Sequence, residues 1–281
     1  MKTVCRALNV SRSNVIRRRK NPGPKRPGPS PKDDACLLPR LRDIVDRRPT
    51  YGYRRIQAVL NRSLKSEGRP PVNHKRVYRI LNEHSLLLTR AEPGPTRTHD
   101  GTVITLHPDR RWCSDVFEIA CLSGERIRVA FGLDTCDREI LSFVATTKGI
   151  DGEMIRDLMV QSLEARFGAK ECLPHPIEWL SDNGSCYTAH ETRRFGLELG
   201  FQMCTTPVKS PESNGMAESF VKTFKRDYVS LHPCSNALTV MKQLPQWFDD
   251  YNENHPHQGL KMRSPREFRR SYLLQQGCPI N

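Results

Sequence analysis

The chain has 281 residues, 37% hydrophobic and 27% charged, with 45 Lys and Arg against 31 Asp and Glu and a net charge of +14. No apolar run approaches the roughly 18–20 residues of a membrane-spanning helix, and the opening MKTVCRALNVSRSNVIRRRK lacks the core of a signal peptide, so export is not expected. Ten cysteines without a CxxC pair argue against a disulfide framework or a zinc site and for reduced thiols.

The charge is unevenly spread. Residues 1–100 carry 24 Lys and Arg against 8 Asp and Glu, a net +16, while residues 101–281 carry 21 against 23, a net −2. This split predicts a polyanion-binding arm on a near-neutral globular body; a generic solvated basic surface is the alternative.

In chain order, residues 1–20 read as a partial helix-turn-helix. Val4, Ala7 and Leu8 share one face, Val15 and Ile16 begin another, and Arg17, Arg18 and Arg19 close it. Residues 21–34 form a Pro-rich basic linker. Residues 35–90 read as a helical DNA-binding module. Its stripes are Leu38, Leu41, Ile44 and Val45, then Tyr51 to Leu60, then, after a polar break at 61–71, Val72 to Leu81 with Asn73 as N-cap. Lys75, Arg76 and Arg79 lie opposite Val77 and Ile80, a placement suited to the major groove, and Arg54 and Arg55 join them as expected DNA contacts. Residues 91–101 read as a second linker.

Residues 102–281 read as an α/β body. Strands are expected at 111–119, 126–134, 138–147 and 177–181 and near 201–205, and helices at 151–167, 188–199 and about 215–229. The order β-β-β-α-β-α-β-α is that of a ribonuclease H-like mixed five-stranded sheet with helices on both faces. It places Asp115 in the first strand, Asp182 at the end of the fourth and Glu218 in the first turns of the last helix. If the first and fourth strands are neighbours, these carboxylates converge, and three hard oxygen donors suit Mg²⁺ or Mn²⁺. Two such ions would serve an in-line phosphoryl displacement. Taken singly, each carboxylate reads equally as a surface charge or cap.

The flanking motifs are more specific. Thirty-five residues separate Asp182 from Glu218, between SDNGSCYTAHE (181–191) and SPESNGMAESFVKTFKRDY (210–228). With PTYGYRRI (49–56), VNHKRVYRIL (72–81), RWCSDVFE (111–118) and YNENHPHQGLKMRSPREF (251–268), the chain resembles the DDE transposase and retroviral integrase superfamily. Within it the resemblance is to the orfB-type insertion-sequence transposases, which move by a copy-out, paste-in route. It implies an integrase-type core with a C-terminal helical tail, Asp115, Asp182 and Glu218 as catalytic metal ligands, and probes of DNA in Lys222, Lys225 and Arg226 beyond Glu218. An ordinary Glu218–Lys222 pair is the alternative reading of that helix face. The resemblance further implies that residues 210–215 form a mobile loop. It implies double-stranded DNA as partner (terminal repeats and target), a homo-oligomer on DNA, an upstream-frame helix-turn-helix and coiled-coil partner or its frameshift fusion, and a bacterial cytoplasmic, nucleoid-associated setting. The zinc-binding HHCC module of retroviral integrases is missing. His255-Pro256-His257 stands where the signature carries Arg-Pro-His, so His257 is given no chemistry. Trp112 and Trp179 are expected to pack the sheet. The rival readings are a non-catalytic DNA-binding regulator and a ribonuclease H-like nuclease.

Overall fold

A computed structural model describes residues 2–20, 34–88, 105–206 and 215–277. Residues 21–33, 89–104 and 207–214 lie outside the described residues, and with them nearly all of the expected linkers at 21–34 and 91–101 and of the expected loop at 210–215. The chain divides into two compact units, Met1–Leu37 and Leu38–Asn281. The first holds α1 (Lys2–Ala7) and α2 (Arg12–Lys20), with Val4, Leu8 and Val10 exposed.

The second unit begins with three helices, α3 (Leu38–Arg47), α4 (Tyr53–Ser66) and α5 (His74–Glu83). Leu41 and Ile44, then Ile56, Leu60 and Leu64, then Val77, Ile80 and Leu81 form their shared core. Helix α4 runs on to Ser66 where a polar break was expected, because Leu64 continues the i, i+4 stripe of Ile56 and Leu60. Asn61 then fastens the following turn: its Oδ1 accepts from Val72 N at 2.7 Å and its Nδ2 donates to Val72 O at 3.1 Å. Asn73 caps α5 as predicted, accepting from Lys75 N at 2.9 Å.

The sheet comprises β1 (Arg111–Ala120), β2 (Arg126–Asp134), β3 (Ile140–Thr146), β4 (Ile177–Ser181) and β5 (Phe201–Thr205). Their order is β3-β2-β1-β4-β5: the first three antiparallel, β4 parallel to β1, and β5 parallel to β4. This is the ribonuclease H-like sheet that the element order predicts.

Helix α6 (Gly152–Phe167), capped by Asp151, covers one face over Trp112, Trp179, Ile177 and Phe201. Close approach there needs Gly132, since a Cβ at that position would stand 2.7 Å from Ser162 Oγ. Beyond β4 come a short turn of helix, α7 (Ser185–Thr188), and α8 (His190–Glu198). The other face is covered by α9 (Gly215–Asp227) and α10 (Ala237–Asn254), through Phe220, Phe224, Leu244 and Phe248 against Phe117, Phe131 and Ile140. Helix α11 (Pro265–Gln275) closes the chain with a capping box between Ser264 and Glu267. The nine described cysteines are free thiols, and no described helix is long and apolar enough to cross a membrane.

Candidate active site

The site is set by register. Strands β1 and β4 pair Arg111 with Glu178, Trp112 with Trp179 and Cys113 with Leu180, a constant offset of 67 residues. Carried two residues further, that offset sets Asp182 level with Asp115, and adjacent strands lie only about 4.8 Å apart. Side chains alternate along a strand, so Asp115 shares the face of Cys113 and Phe117, which is the face that α9 covers. Glu218 lies in the first turn of α9.

Each carboxyl is held differently. Asp115 is half-buried, its Oδ1 accepting from Val116 N at 2.8 Å. Burial raises its pKa, and the neighbouring charges of Asp182 and Glu218 add to the rise against that hydrogen bond. Asp182 is exposed on a tight turn, its Oδ1 accepting from Gly184 N at 3.0 Å. The turn is anchored twice: Asn183 Nδ2 donates to Thr206 O at 2.9 Å, and the buried Tyr187 hydroxyl lies 2.7 Å from Ser114 Oγ, beside Asp115. Tyr187 was not singled out in the sequence, although it sits five residues after Asp182 inside the SDNGSCYTAHE motif. Glu218 is exposed, with Lys222 Nζ 3.6 Å from its Oε2, a solvent-exposed pair worth little.

The donor chemistry fits a hard divalent cation: three carboxylates, and no arginine pairing with any of them among the described residues. Among the described residues, no group of three His, Cys, Asp or Glu side chains stands close enough together to hold an ion.

The expected DNA contacts separate into two groups. Lys225 is exposed, its ammonium 5.9 Å from the centre of the Phe117 ring, two residues along β1 from Asp115. Arg54 and Lys75 are exposed on the helical module, and Arg76 and Arg79 are half-buried, with Arg79 bonded to Glu83 at 3.0 and 3.1 Å. Arg17 and Arg19 are exposed on α2, the helix that also carries Arg18. Arg55, half-buried, and Arg226, exposed, are paired with one buried acid instead. Arg226 holds Asp227 through two bonds of 2.7 Å, and Arg55 Nη1 donates to the same carboxylate at 3.1 Å. Their guanidiniums are spent on a buried acid, which the run of basic residues in the sequence did not reveal.

This fold is that of a catalytic core of the integrase class. Residues 106–211 and 199–265 match the Integrase core domain family, and residues 31–93 match the HTH-like domain family. Transposase InsD for insertion element IS2A/D/F/H/I/K of Escherichia coli is 48% identical over 279 residues, covering 98% of this chain and 91% of that protein. Among solved structures, the catalytic core domain of BIV integrase is 18% identical with a TM-score of 0.43, covering 60% of this chain and 99% of that one. The HTLV-2 integrase catalytic core domain in complex with magnesium is 16% identical with a TM-score of 0.44, covering 58% and 97%. The chain belongs to the orfB-type insertion-sequence transposases of the DDE transposase and integrase superfamily. It is a polynucleotidyl transferase that acts on DNA in transposition, and enzymes with this core use divalent metal ions.

Proposed function

We propose that Asp115, Asp182 and Glu218 are the catalytic triad, and that the chain cuts and joins DNA strands at the terminal repeats of its own insertion sequence. The observation that supports this reading is the β1–β4 register, Cys113 beside Leu180, which carried two residues further would bring Asp115 level with Asp182 on the sheet face covered by the helix that bears Glu218. The three carboxylates would hold Mg²⁺ (Mn²⁺ in its place), two ions in all. Bound there, the ions would supply Lewis-acid stabilisation of charge on the attacking and leaving oxygens of an in-line phosphoryl displacement.

The protein's own share is positioning. Strand β1 fixes Asp115, and Tyr187 and Asn183 hold the turn after β4 that presents Asp182. Lys225 lies about 10 Å along α9 from Glu218, at 1.5 Å rise per residue, and its long stem reaches the phosphate next to the reacting one. Lys222, about one turn along α9 from Glu218, adds positive charge on the same face. Arg54, Lys75, Arg76 and Arg79 on the module, with Arg17, Arg18 and Arg19 on α2, hold duplex phosphates, so affinity falls steeply with salt. The chain works as a homo-oligomer on DNA, with an upstream-frame helix-turn-helix and coiled-coil partner or its frameshift fusion.

The test is strand nicking and joining on the element's end DNA with Mg²⁺. Asp115→Asn, Asp182→Asn and Glu218→Gln are each expected to abolish both reactions while DNA binding survives. Activity within a few-fold of the unaltered protein in any of the three rejects the assignment.

A further inference from the structure

The three-helix module is fastened to the catalytic core by side chains of one face. Arg48 Nη1 and Nη2 donate to Asp250 at 2.7 and 2.6 Å, and the Tyr51 hydroxyl lies 3.0 Å from His255 Nδ1. Arg55 Nη1 donates to Asp227 at 3.1 Å; Arg62 donates to Asn254 O at 3.0 Å and to Glu267 at 2.6 Å. Positions 51, 55 and 62 recur at helical spacing, while Arg54, one step round, faces solvent. The PTYGYRRI stretch and the C-terminal signature, far apart in sequence, are therefore two sides of one interface.

One of these links ends on the catalytic helix. Asp227 is the last residue of α9, nine residues beyond Glu218, and its side chain is wholly buried. Arg226 already supplies that carboxylate with two hydrogen bonds at 2.7 Å. A second guanidinium is not needed to offset its charge, so what Arg55 adds is a tether between α4 and α9. Arg55 also stacks 5.4 Å from the centre of the Tyr51 ring, and Tyr51 is itself buried against His255, which keeps the arginine from swinging out. Burial holds the His255 and His257 imidazoles well below their ordinary pKa, with Arg55 adding to the effect, so both stay neutral beside this link.

We infer that Arg55 is a positioning residue for strand joining: through Asp227 it fixes α9, and with it Glu218, so that the seat of the module on DNA becomes part of the active-site geometry. This rests on the reading of Glu218 as catalytic. A tether of this kind acts on the chemical step. A phosphate contact acts on binding and on its salt dependence.

The experiment uses the full chain on its end DNA and compares Arg55→Ala, Arg55→Lys, Asp227→Asn and the Arg55→Ala/Asp227→Asn double variant, with Lys75→Ala and Glu218→Gln alongside. Melting temperature, DNA affinity across a salt series, and kcat and KM for joining are measured for each. Arg55→Ala is expected to lower kcat at least about tenfold, with KM, affinity and salt slope within twofold, since small misplacement near a reacting centre costs up to about a hundredfold. Arg55→Lys, which keeps one N–H donor, should recover most of the loss, and the double variant should be no slower than Arg55→Ala. The inference is overturned if Arg55→Ala raises KM and flattens the log–log salt slope by about 0.9, as Lys75→Ala should, with kcat unchanged. It is equally overturned if the only effect is a lower melting temperature, or if Arg55→Ala does not fold and the folded Asp227→Asn, which lacks the carboxylate charge that Arg55 grips, shows a normal kcat. An active Glu218→Gln sinks the site assignment itself; an inactive Glu218→Gln beside an unimpaired Arg55→Ala sinks the tether alone.

Discussion

The core contains a buried cluster of acids and, apart from it, the three carboxylates proposed as the active site, and the two sets are treated in opposite ways. Around Arg166, whose side chain is 2% exposed, stand Asp109, Asp134, Asp137 and Glu139. Arg166 donates to Asp137 at 2.9 Å and Glu139 at 2.7 Å, and ion-pairs with Asp109 at 2.7 Å and Asp134 at 3.2 Å. Helix α11 sends Arg269 to Asp109 and Asp137, and Arg266 to Glu139 at 3.0 Å. Asp134 also accepts from Cys136 N and Asp109 N, both at 2.7 Å. Burial pushes the Asp134 and Asp137 carboxyls up while Arg166 pulls them down. These acids have their cations built in, and they lock α6, the β2–β3 turn and α11 together. Asp115, Asp182 and Glu218 have only the loose Lys222 pair among the described residues. The structural cluster carries its own countercharge, whereas the carboxylates proposed to be catalytic would leave that charge to be brought in with the metal and the substrate.

The largest expected effect is on the second set. Asp182→Asn should abolish nicking and joining without changing the fold, because Asn keeps the turn-forming oxygen and loses the charge. Gel assays of cleavage and a far-UV spectrum check this, and a variant that fails by unfolding would erase the contrast between the two sets. At the first cluster Arg166→Met should do the reverse. Leaving four buried or half-buried acids short of a cation should cost about 3–5 kcal/mol, read by urea denaturation. A loss below about 1 kcal/mol would mean that Arg266 and Arg269 suffice. Lys225→Ala should slow joining roughly tenfold or more with terminal-DNA affinity changed less than twofold. Parallel losses of binding and joining would make Lys225 one phosphate contact among many.

The smallest effect is on stability and depends on pH. A carboxyl whose pKa is raised in the folded state binds its proton more tightly there than in the unfolded chain. The stability it contributes is present below the ordinary carboxylate pKa and is lost as pH rises through the folded value. Asp115→Asn should therefore melt slightly higher than the unaltered protein at pH 7 and about equally at pH 3, by calorimetry. A lower melting temperature at pH 7 would show that Asp115 is structurally compensated like the acids around Arg166.

Much of this was legible in the sequence, for reasons specific to each element. Alternation and short turns reveal strands, so all five strands and the ribonuclease H-like order could be read directly, and with them the expectation that Asp115 and Asp182 lie near one another. Ser162 and Arg166 fall on the apolar period of α6, and both side chains are buried. The partners of Arg166 could not be read, because Asp109, Asp134 and Asp137 reach it only through tertiary folding. Arg55 failed for the same reason: an arginine facing phosphate and one facing Asp227, 172 residues away, look alike in a basic run. Helix α4 was cut short because Asn61, Arg62 and Ser63 mask Leu64, and Asn61 is polar to tie down Val72.

The most direct test of the central claim is a melting curve with and without Mg²⁺ at neutral pH, for the unaltered chain and for Asp182→Asn. A ligand that binds only the folded state raises its melting temperature. If the triad holds the ion, Mg²⁺ should raise the melting temperature of the unaltered chain in a concentration-dependent way and leave that of Asp182→Asn unmoved. An equal rise in both proteins would place the ion elsewhere and contradict the account.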